Sequence, residues 1–355
     1  MSRSTVSFFL NGTRHDVTGA QAFQTLAEYF RYTRGLTGTK VVCAEGDCGA
    51  CTVLKSVDGK TFEAMNSCIA LVAQMDGAHL VTVEGLKKGE ELAPAQKAMM
   101  ECHGSQCGYW TPGFVIAMTW MLEKQLCEKR KPADEQTAKN HMTGNLCRCT
   151  GYQPIIEAAV KMSEETAAQK RTSKESMAAR YLTKTNVAAL KKTAKGTVTI
   201  QHESPLGDQT FYAPATLVEL LKYRKKHPTS VIIGAATDLG VLYSKGKSSP
   251  THIVSLHMIS ELYGIKVTKG PKAKARFGAR VTLANVRHAL EKFSPETADT
   301  LNLFAAPQIK NTATLIGNLA TGSSFGDTAP VLLALAAVLE IATPGKAKKR
   351  KIALA

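Results

Sequence analysis

Cysteine spacing constrains this chain more than any other feature. CAEGDCGAC, residues 43–51, places Cys43, Cys48 and Cys51 as C-x4-C-x2-C, and Cys68 follows in NSCIAL. This is the plant-type ligand order for a 2Fe-2S centre, in which four thiolates hold two irons. Ala44, Gly46, Gly49 and Ala50 lie between the ligands, and residues this small let the backbone wrap a cluster and aim amides at its sulfur. The competing reading is a structural zinc site. Zinc ribbons usually bring their cysteines as two separated pairs, whereas three thiols here fall within one short loop, which favours the cluster.

The remaining composition narrows the class. At 355 residues and 44% apolar content the chain is long enough for two or three globular domains. Its longest apolar stretch, near Val331 to Leu339, falls far short of the roughly 20 residues that cross a bilayer, so no membrane role is expected. Val6, Phe8, Phe9 and Leu10 run straight into Asn11-Gly12, which leaves no room for a secretory apolar region; a cytoplasmic location is expected. Without that signal, an odd count of nine cysteines argues against a disulfide framework. The formal charge of +16 is concentrated in Lys161 to Lys195 and Lys346 to Lys351, with few aromatics nearby, so it reads as solvated linker and tail, and no nucleic-acid partner is expected.

Along the chain, Val6 to Leu10 and Thr13 to Val17 flank Asn11-Gly12, a hairpin signal, and Asp58-Gly59 predicts a second hairpin between Thr52 to Val57 and Lys60 to Met65. Phe23, Leu26 and Phe30 recur at helical spacing, and Leu80 to Val83 closes the unit as a strand. Residues 1–88 are therefore expected to form a small α+β domain. Residues 89–168 turn helical, with Thr111-Pro112 as N-cap and first helical position before Phe114 to Leu126, and predict a helical bundle. Residues 169–203 lack a sustained apolar face and read as a linker. A third unit, residues 204–355, mixes strands such as Val231 to Ile233 with helices such as Leu217 to Lys225.

Two more segments carry cysteines at helix ends: HGSQCGYWTPG, residues 103–113, with Cys107, and GNLCRCTGY, residues 144–152, with Cys147 and Cys149. In this order behind a ferredoxin-type motif, they resemble the xanthine dehydrogenase family of molybdenum hydroxylases over residues 4 to about 160. The resemblance implies a β-grasp ferredoxin-like domain followed by an all-α domain that holds a second 2Fe-2S cluster through C-x2-C and C-x-C pairs. Trp110 stands where that pattern has its second cysteine, and indole offers only a hydrogen-bond donor. Three outcomes are open: a three-thiolate cluster completed by water or another group, a rearranged cluster that recruits Cys102, or no cluster. Cys127 has no partner spacing and reads as a buried apolar thiol.

VIIGAATDLG, residues 231–240, leads from a strand through small residues to Asp238, and PQIKNTATLIGNLATGSSFGDTAP, residues 307–330, is dense in Gly, Ser, Thr and Asn. Either suits a backbone-rich anion cradle, although a glycine turn after a strand is commonly just a turn. Together they resemble the two FAD-contacting segments of the same family, in a partial α+β domain like the CO dehydrogenase flavoprotein. The resemblance assigns Val231, Ile232, Ile233, Gly234, Ala235, Ala236, Thr237 and Asp238 to the first segment. Phe304, Thr314, Gly317, Asn318, Thr321 and Asp327 match contacts of the second. Ile316 replaces the first glycine of a Gly-Gly-Asn step, where a positive φ or close backbone approach is at stake. The chain stops at Ala355, part-way through that domain as the family has it, so exposed apolar surface is expected there.

The resemblance implies an electron-transfer small subunit with no catalytic residue of its own. Electrons would pass from a molybdopterin-containing large subunit oxidising purines, through 2Fe-2S, to FAD and NAD. The rival expectation is a truncated or decayed paralogue without redox function, binding zinc or acting as an interaction module.

Overall fold

Asn11 (φ 50°) and Gly12 (φ 85°) both take positive φ, as a two-residue type I′ turn requires. β1 (Val6–Leu10) therefore folds straight back on β2 (Thr13–Val17), with Leu10 opposite Thr13. The structure, a computed structural model, describes residues 2–203, 207–268, 270, 273–322, 326–346 and 349–354. Its chain divides into two units: Val6–Ala194 with Ala306–Ile309, and Met1–Thr5 with Lys195–Ala305 and Lys310–Ala355.

In the first unit, Phe23, Leu26 and Phe30 are all buried. They are carried by a 3-10 turn (Gly19–Phe23), the short helix α1 (Leu26–Glu28) and a wider π turn (Tyr29–Thr33) in place of one regular helix. Thr25 and Glu28 close a capping box around α1. β3 (Thr52–Ser56) and β4 (Glu63–Asn66) pair antiparallel with Lys55 opposite Glu63. Their connection is longer than the tight turn predicted at Asp58-Gly59. Asp58 Oδ1 accepts from the N–H groups of Lys60 and Thr61 at 2.8 and 3.0 Å, so the aspartate stabilises a local loop through its own backbone. β5 (His79–Val81) completes a five-stranded sheet in the order β2-β1-β5-β3-β4, parallel to β1 and antiparallel to β3.

The helical part follows as α2 (Pro94–Glu101), α3 (Thr111–Glu128), α4 (Glu135–Met142) and α5 (Gln153–Ala168). α3 is buried on all sides from Gly113 to Glu123, as expected of a helix apolar around its circumference. It begins one residue earlier than predicted: Trp110 occupies the N-cap, without a side-chain capping bond, and Pro112 lies in the first turn. Residues 169–203, expected as a linker, are largely structured. α6 (Met177–Tyr181) buries Met177, Ala178 and Tyr181, and α7 (Lys184–Thr193) follows it. The anchor is polar, which apolar periodicity does not reveal. The Glu123 carboxylate accepts from Met177 N and Ala178 N at 2.5 and 3.1 Å, and Tyr181 Oη donates to Gly85 O at 2.6 Å.

The second unit opens with β6 (Val198–His202) and β7 (Gln209–Ala213). α8 (Leu217–Lys226), β8 (Val231–Ile233), α9 (Leu239–Ser244) and β9 (His252–Ser255) continue it. The sheet order is β6-β7-β9-β8, with β6 antiparallel to β7 and the other pairings parallel. α8 lays Leu220 against Val254, Leu256 and Ile259. A hairpin of β10 (Ile265–Thr268) and β11 (Lys274–Phe277) precedes α10 (Leu283–Leu290) and α11 (Pro295–Leu303). α12 (Pro307–Lys310), α13 (Leu315–Thr321), α14 (Thr328–Ala334) and a hairpin of β12 (Val338–Ile341) with β13 (Arg350–Ala353) complete the chain. Leu303, Leu335 and Val338 are exposed. The fold is mixed α and β, and among the described residues no helix is long and apolar enough to cross a membrane.

Candidate functional site

Strand register brings the first thiols together. Thr52 pairs with Asn66 across β3 and β4, so Cys51, just before β3, meets Cys68, just after β4, with their sulfurs 3.3 Å apart. Cys43 and Cys48 form the other pair, and a further contact links Cys43 to Cys68. The loop between them turns through positive φ at Ala44 (55°), Gly46 (79°) and Gly49 (71°), which points amides inward. Glu45 N and Cys48 N donate to Cys43 Sγ at 3.4 and 3.5 Å, and Asn66 Nδ2 lies 3.7 Å from Cys51 Sγ.

Charge follows the same pairing. Hydrogen bonds from Cys48 and Cys68 hold the Cys43 thiol far below its ordinary range. Its contact with Cys68 brings Cys51 down to about 7 despite its burial. Cys48 and Cys68 are pushed up. Four thiols arranged as two pairs, with amides on the sulfurs, fit two irons bridged by sulfide. Among the described residues no group of three or more His, Cys, Asp or Glu converges as it would on one metal ion.

The second constellation is less complete. Cys107 and Cys149, both exposed, bring their sulfurs to 3.4 Å, and half-buried Cys147 lies 3.2 Å from Thr150 Oγ1. With Trp110 these thiols line a cavity of about 10 Å³, roughly the space of one water. Trp110 Nε1 is buried there with no hydrogen-bond partner among the described residues. Three thiols and an indole do not supply a four-thiolate donor set, so no electron step is assigned to this site. Cys102 does not line the cavity; like Cys127, it packs against the helical core.

Residues that the cysteine pattern does not reveal join the two loops. Leu146 N donates to Cys48 O at 3.0 Å, and Asn145 Nδ2 donates to Gly49 O at 3.1 Å. Thr52 adds two more donors to the same oxygen, its N–H at 3.1 Å and its hydroxyl at 2.6 Å. Gln308 Nε2 donates to Asn145 Oδ1 at 2.8 Å and to Thr52 Oγ1 at 3.3 Å. The approach is close enough that a Cβ on Gly49 would overlap the Gly144 carbonyl, and one on Gly113 would overlap Gly49 O. A sequence signal existed for Asn145, which lies two residues before Cys147 in the same motif; none existed for Gln308.

In the second unit, the loop after β8 approaches the N-terminus of α13. A Cβ on Gly234 would lie 3.1 Å from Thr314 Oγ1, and Thr314 caps α13 by accepting from Gly317 N at 3.0 Å. Arg280 donates to Gly234 O, Ala236 takes φ 63°, and Thr328 donates to Asn318 Oδ1. Thr321 bonds back to Gly317 O at 3.0 Å. Two glycines around a capping threonine leave a backbone cradle that a Cβ would fill, which fits a nucleotide diphosphate. Ile316 lies in the first turn of α13 without positive φ, so the β-branched residue meets no backbone strain there. Phe304 caps the end of α11, half-buried, and Asp327 precedes α14; Ser323 to Phe325 between these segments lie outside the described residues.

Comparison with known proteins finds a family match in each unit. A family described as a 2Fe-2S binding domain matches residues 82–160, and one described as the FAD binding domain in molybdopterin dehydrogenase matches residues 205–355. Xanthine dehydrogenase of Drosophila pseudoobscura pseudoobscura is 32% identical over 98% of this chain and 29% of its own length. That of Blastobotrys adeninivorans is 30% identical over 95% of this chain and 30% of its own. Among solved structures, quinoline 2-oxidoreductase from Pseudomonas putida 86 matches at 35% identity and TM-score 0.40, over 46% of this chain and 96% of that one. The chain therefore spans less than a third of the curated relatives it matches.

Proposed function

The chain belongs to the xanthine dehydrogenase family of molybdenum hydroxylases, and on that premise we propose that it is the iron-sulfur and flavin electron-transfer part of a purine-oxidising enzyme. The convergence of Cys43, Cys48, Cys51 and Cys68 in two amide-bonded pairs carries the reading. In it, these four thiols hold a 2Fe-2S cluster in a β-grasp domain, and the cradle of residues 231–238 with Thr314, Gly317, Asn318, Thr321 and Asp327 holds FAD. When bound, these groups supply one-electron and two-electron carriers between a molybdopterin-containing partner and NAD. The chain's own residues orient and insulate them. Gly46 and Gly49 give the loop its shape, Asn66 and the loop amides donate to ligand sulfur, and Thr314 fixes the N-terminal end of α13.

A partner subunit is supported by the surface around the second cysteine site. Tyr109, Leu146 and Tyr152 are exposed beside Cys107 and Cys149, and large apolar side chains gathered on one exposed face suit docking. The domain division that accompanies this reading is 1–88, 89–168 and 204–355, with 169–203 connecting them.

The test is to quantify iron, acid-labile sulfide and flavin in the purified chain, alongside visible and EPR spectra. Iron with equimolar sulfide, and flavin, are expected. Zinc without sulfide would overturn the assignment in favour of a non-redox module. Purine turnover by the molybdenum-free chain alone would overturn the need for a partner.

A further inference from the structure

Residues 280–283 touch both segments of the nucleotide cradle. Their backbone pairs with the stretch that leads into α13: Leu283 N donates to Ala313 O at 2.9 Å, Leu315 N donates to Val281 O at 3.4 Å, and Thr282 and Thr314 form an antiparallel bridge. The Arg280 side chain reaches the other segment, the loop after β8, where Nη1 donates to Gly234 O. Gly234 and Thr314 are themselves in close approach, since a Cβ on the glycine would lie 3.1 Å from Thr314 Oγ1. One four-residue stretch therefore holds both sides of that approach.

Arg280 is 8% exposed and held from several directions. Its backbone N–H donates to Leu262 O at 2.9 Å, Nε donates to Tyr263 Oη at 3.2 Å, and the guanidinium lies over the Tyr263 ring at 5.3 Å. Tyr263 Oη donates onward to His257 O at 2.8 Å, which fixes the phenol as an acceptor for the arginine. Every one of these partners is neutral. Among the described residues no carboxylate pairs with Arg280, and its Nη2 makes no hydrogen bond. A guanidinium cannot shed its proton, and a buried cation without a counter-charge is unfavourable, so a ligand that brings negative charge here offsets that penalty.

We infer that Arg280 is a positioning residue for the flavin dinucleotide, locking the loop after β8 against the α13 segment and supplying positive charge for the diphosphate. The inference rests on the cradle being the FAD site. A planar guanidinium suits the double role better than an ammonium, because its fork holds Tyr263 and Gly234 at once and still leaves Nη2 for a phosphate oxygen.

The experiment uses the full chain freed of flavin and titrated with FAD at low and high salt, read by flavin fluorescence. Arg280→Met removes the charge and the donors while keeping an unbranched side chain. Arg280→Lys keeps the charge on a single nitrogen that cannot serve Tyr263 and Gly234 together. In Arg280→Met, FAD should bind at least about tenfold more weakly, the range of a lost charged hydrogen bond, and its affinity should depend less on salt. Arg280→Lys should lose about threefold and keep the salt dependence of the unmodified chain.

A residue that serves only the fold would lower the thermal midpoint of the flavin-free chain and leave the salt dependence of FAD binding as steep as before. Unchanged FAD affinity in Arg280→Met, or a salt dependence as steep as that of the unmodified chain, overturns the inference. Where Arg280→Met does not fold, Arg280→Lys decides: an affinity lowered about threefold with the salt dependence kept supports the role, and an unchanged affinity or a complete loss of binding overturns it. If the unmodified chain binds no FAD, the cradle reading fails and the inference falls with it, an outcome distinct from failure of the arginine's role alone.

Discussion

Leu146 donates its backbone N–H to the carbonyl oxygen of Cys48 at 3.0 Å, so two cysteine loops almost a hundred residues apart in sequence form one hydrogen-bonded unit. A disturbance at either loop is therefore expected to register at the other, and ligand substitutions test this.

Cys48→Ser should abolish or strongly alter the 2Fe-2S spectrum and reduce bound iron by about two atoms per chain if the site is lost. Iron analysis with EPR of the reduced protein checks it. An intact cluster spectrum in the variant would remove Cys48 from the ligand set.

Trp110→Cys restores a fourth thiol at the second site, where the indole now fills the space and its N–H has no partner. Bound iron should rise toward about four atoms per chain, with a second EPR species. Two distinct stable clusters in the unmodified protein would show that another group replaces the missing ligand.

Glu123→Ala removes the carboxylate that accepts from Met177 N and Ala178 N, leaving two buried donors unsatisfied. The expected cost is about 2–4 kcal/mol in urea unfolding, with faster proteolysis after residue 169. Burial holds the Glu123 pKa above its ordinary range, although the two N–H bonds pull the other way. A raised folded-state pKa means that its contribution is fully present below the unfolded pKa and declines as pH rises through the folded one. Glu123→Gln should flatten that part of the stability profile, and an unchanged profile would count against the cap.

His79 has the opposite sign. Burial depresses its pKa to about 4, and its ring stacks on Phe9 at 5.1 Å. The unfolded chain takes up a proton near pH 6.5, whereas the folded one resists until about pH 4. Stability of the five-stranded sheet should therefore fall progressively as pH drops through that window. His79→Phe should remove the slope, read as the urea midpoint against pH; a slope that survives would place its origin in another group.

Local chemistry was legible in the sequence wherever neighbouring residues decide the outcome. Asn11-Gly12 fixed a type I′ turn because both positions tolerate positive φ, and Cys43 to Cys51 formed an inward-facing loop because small residues separate the thiols. The helix at Leu217 and the strand at Val231 followed from periodicity. Tertiary structure alone decided what depends on groups distant in sequence. Strand register delivered Cys68 to Cys51, a buried carboxylate on α3 docked a stretch with no apolar face, and Gln308 reached Asn145 across more than 160 positions. The physical reason is that a buried polar group must find a partner but leaves no periodic trace of which one. Spacing predicts a ligand loop, whereas the hydrogen bonds that aim it are settled only when the chain is packed.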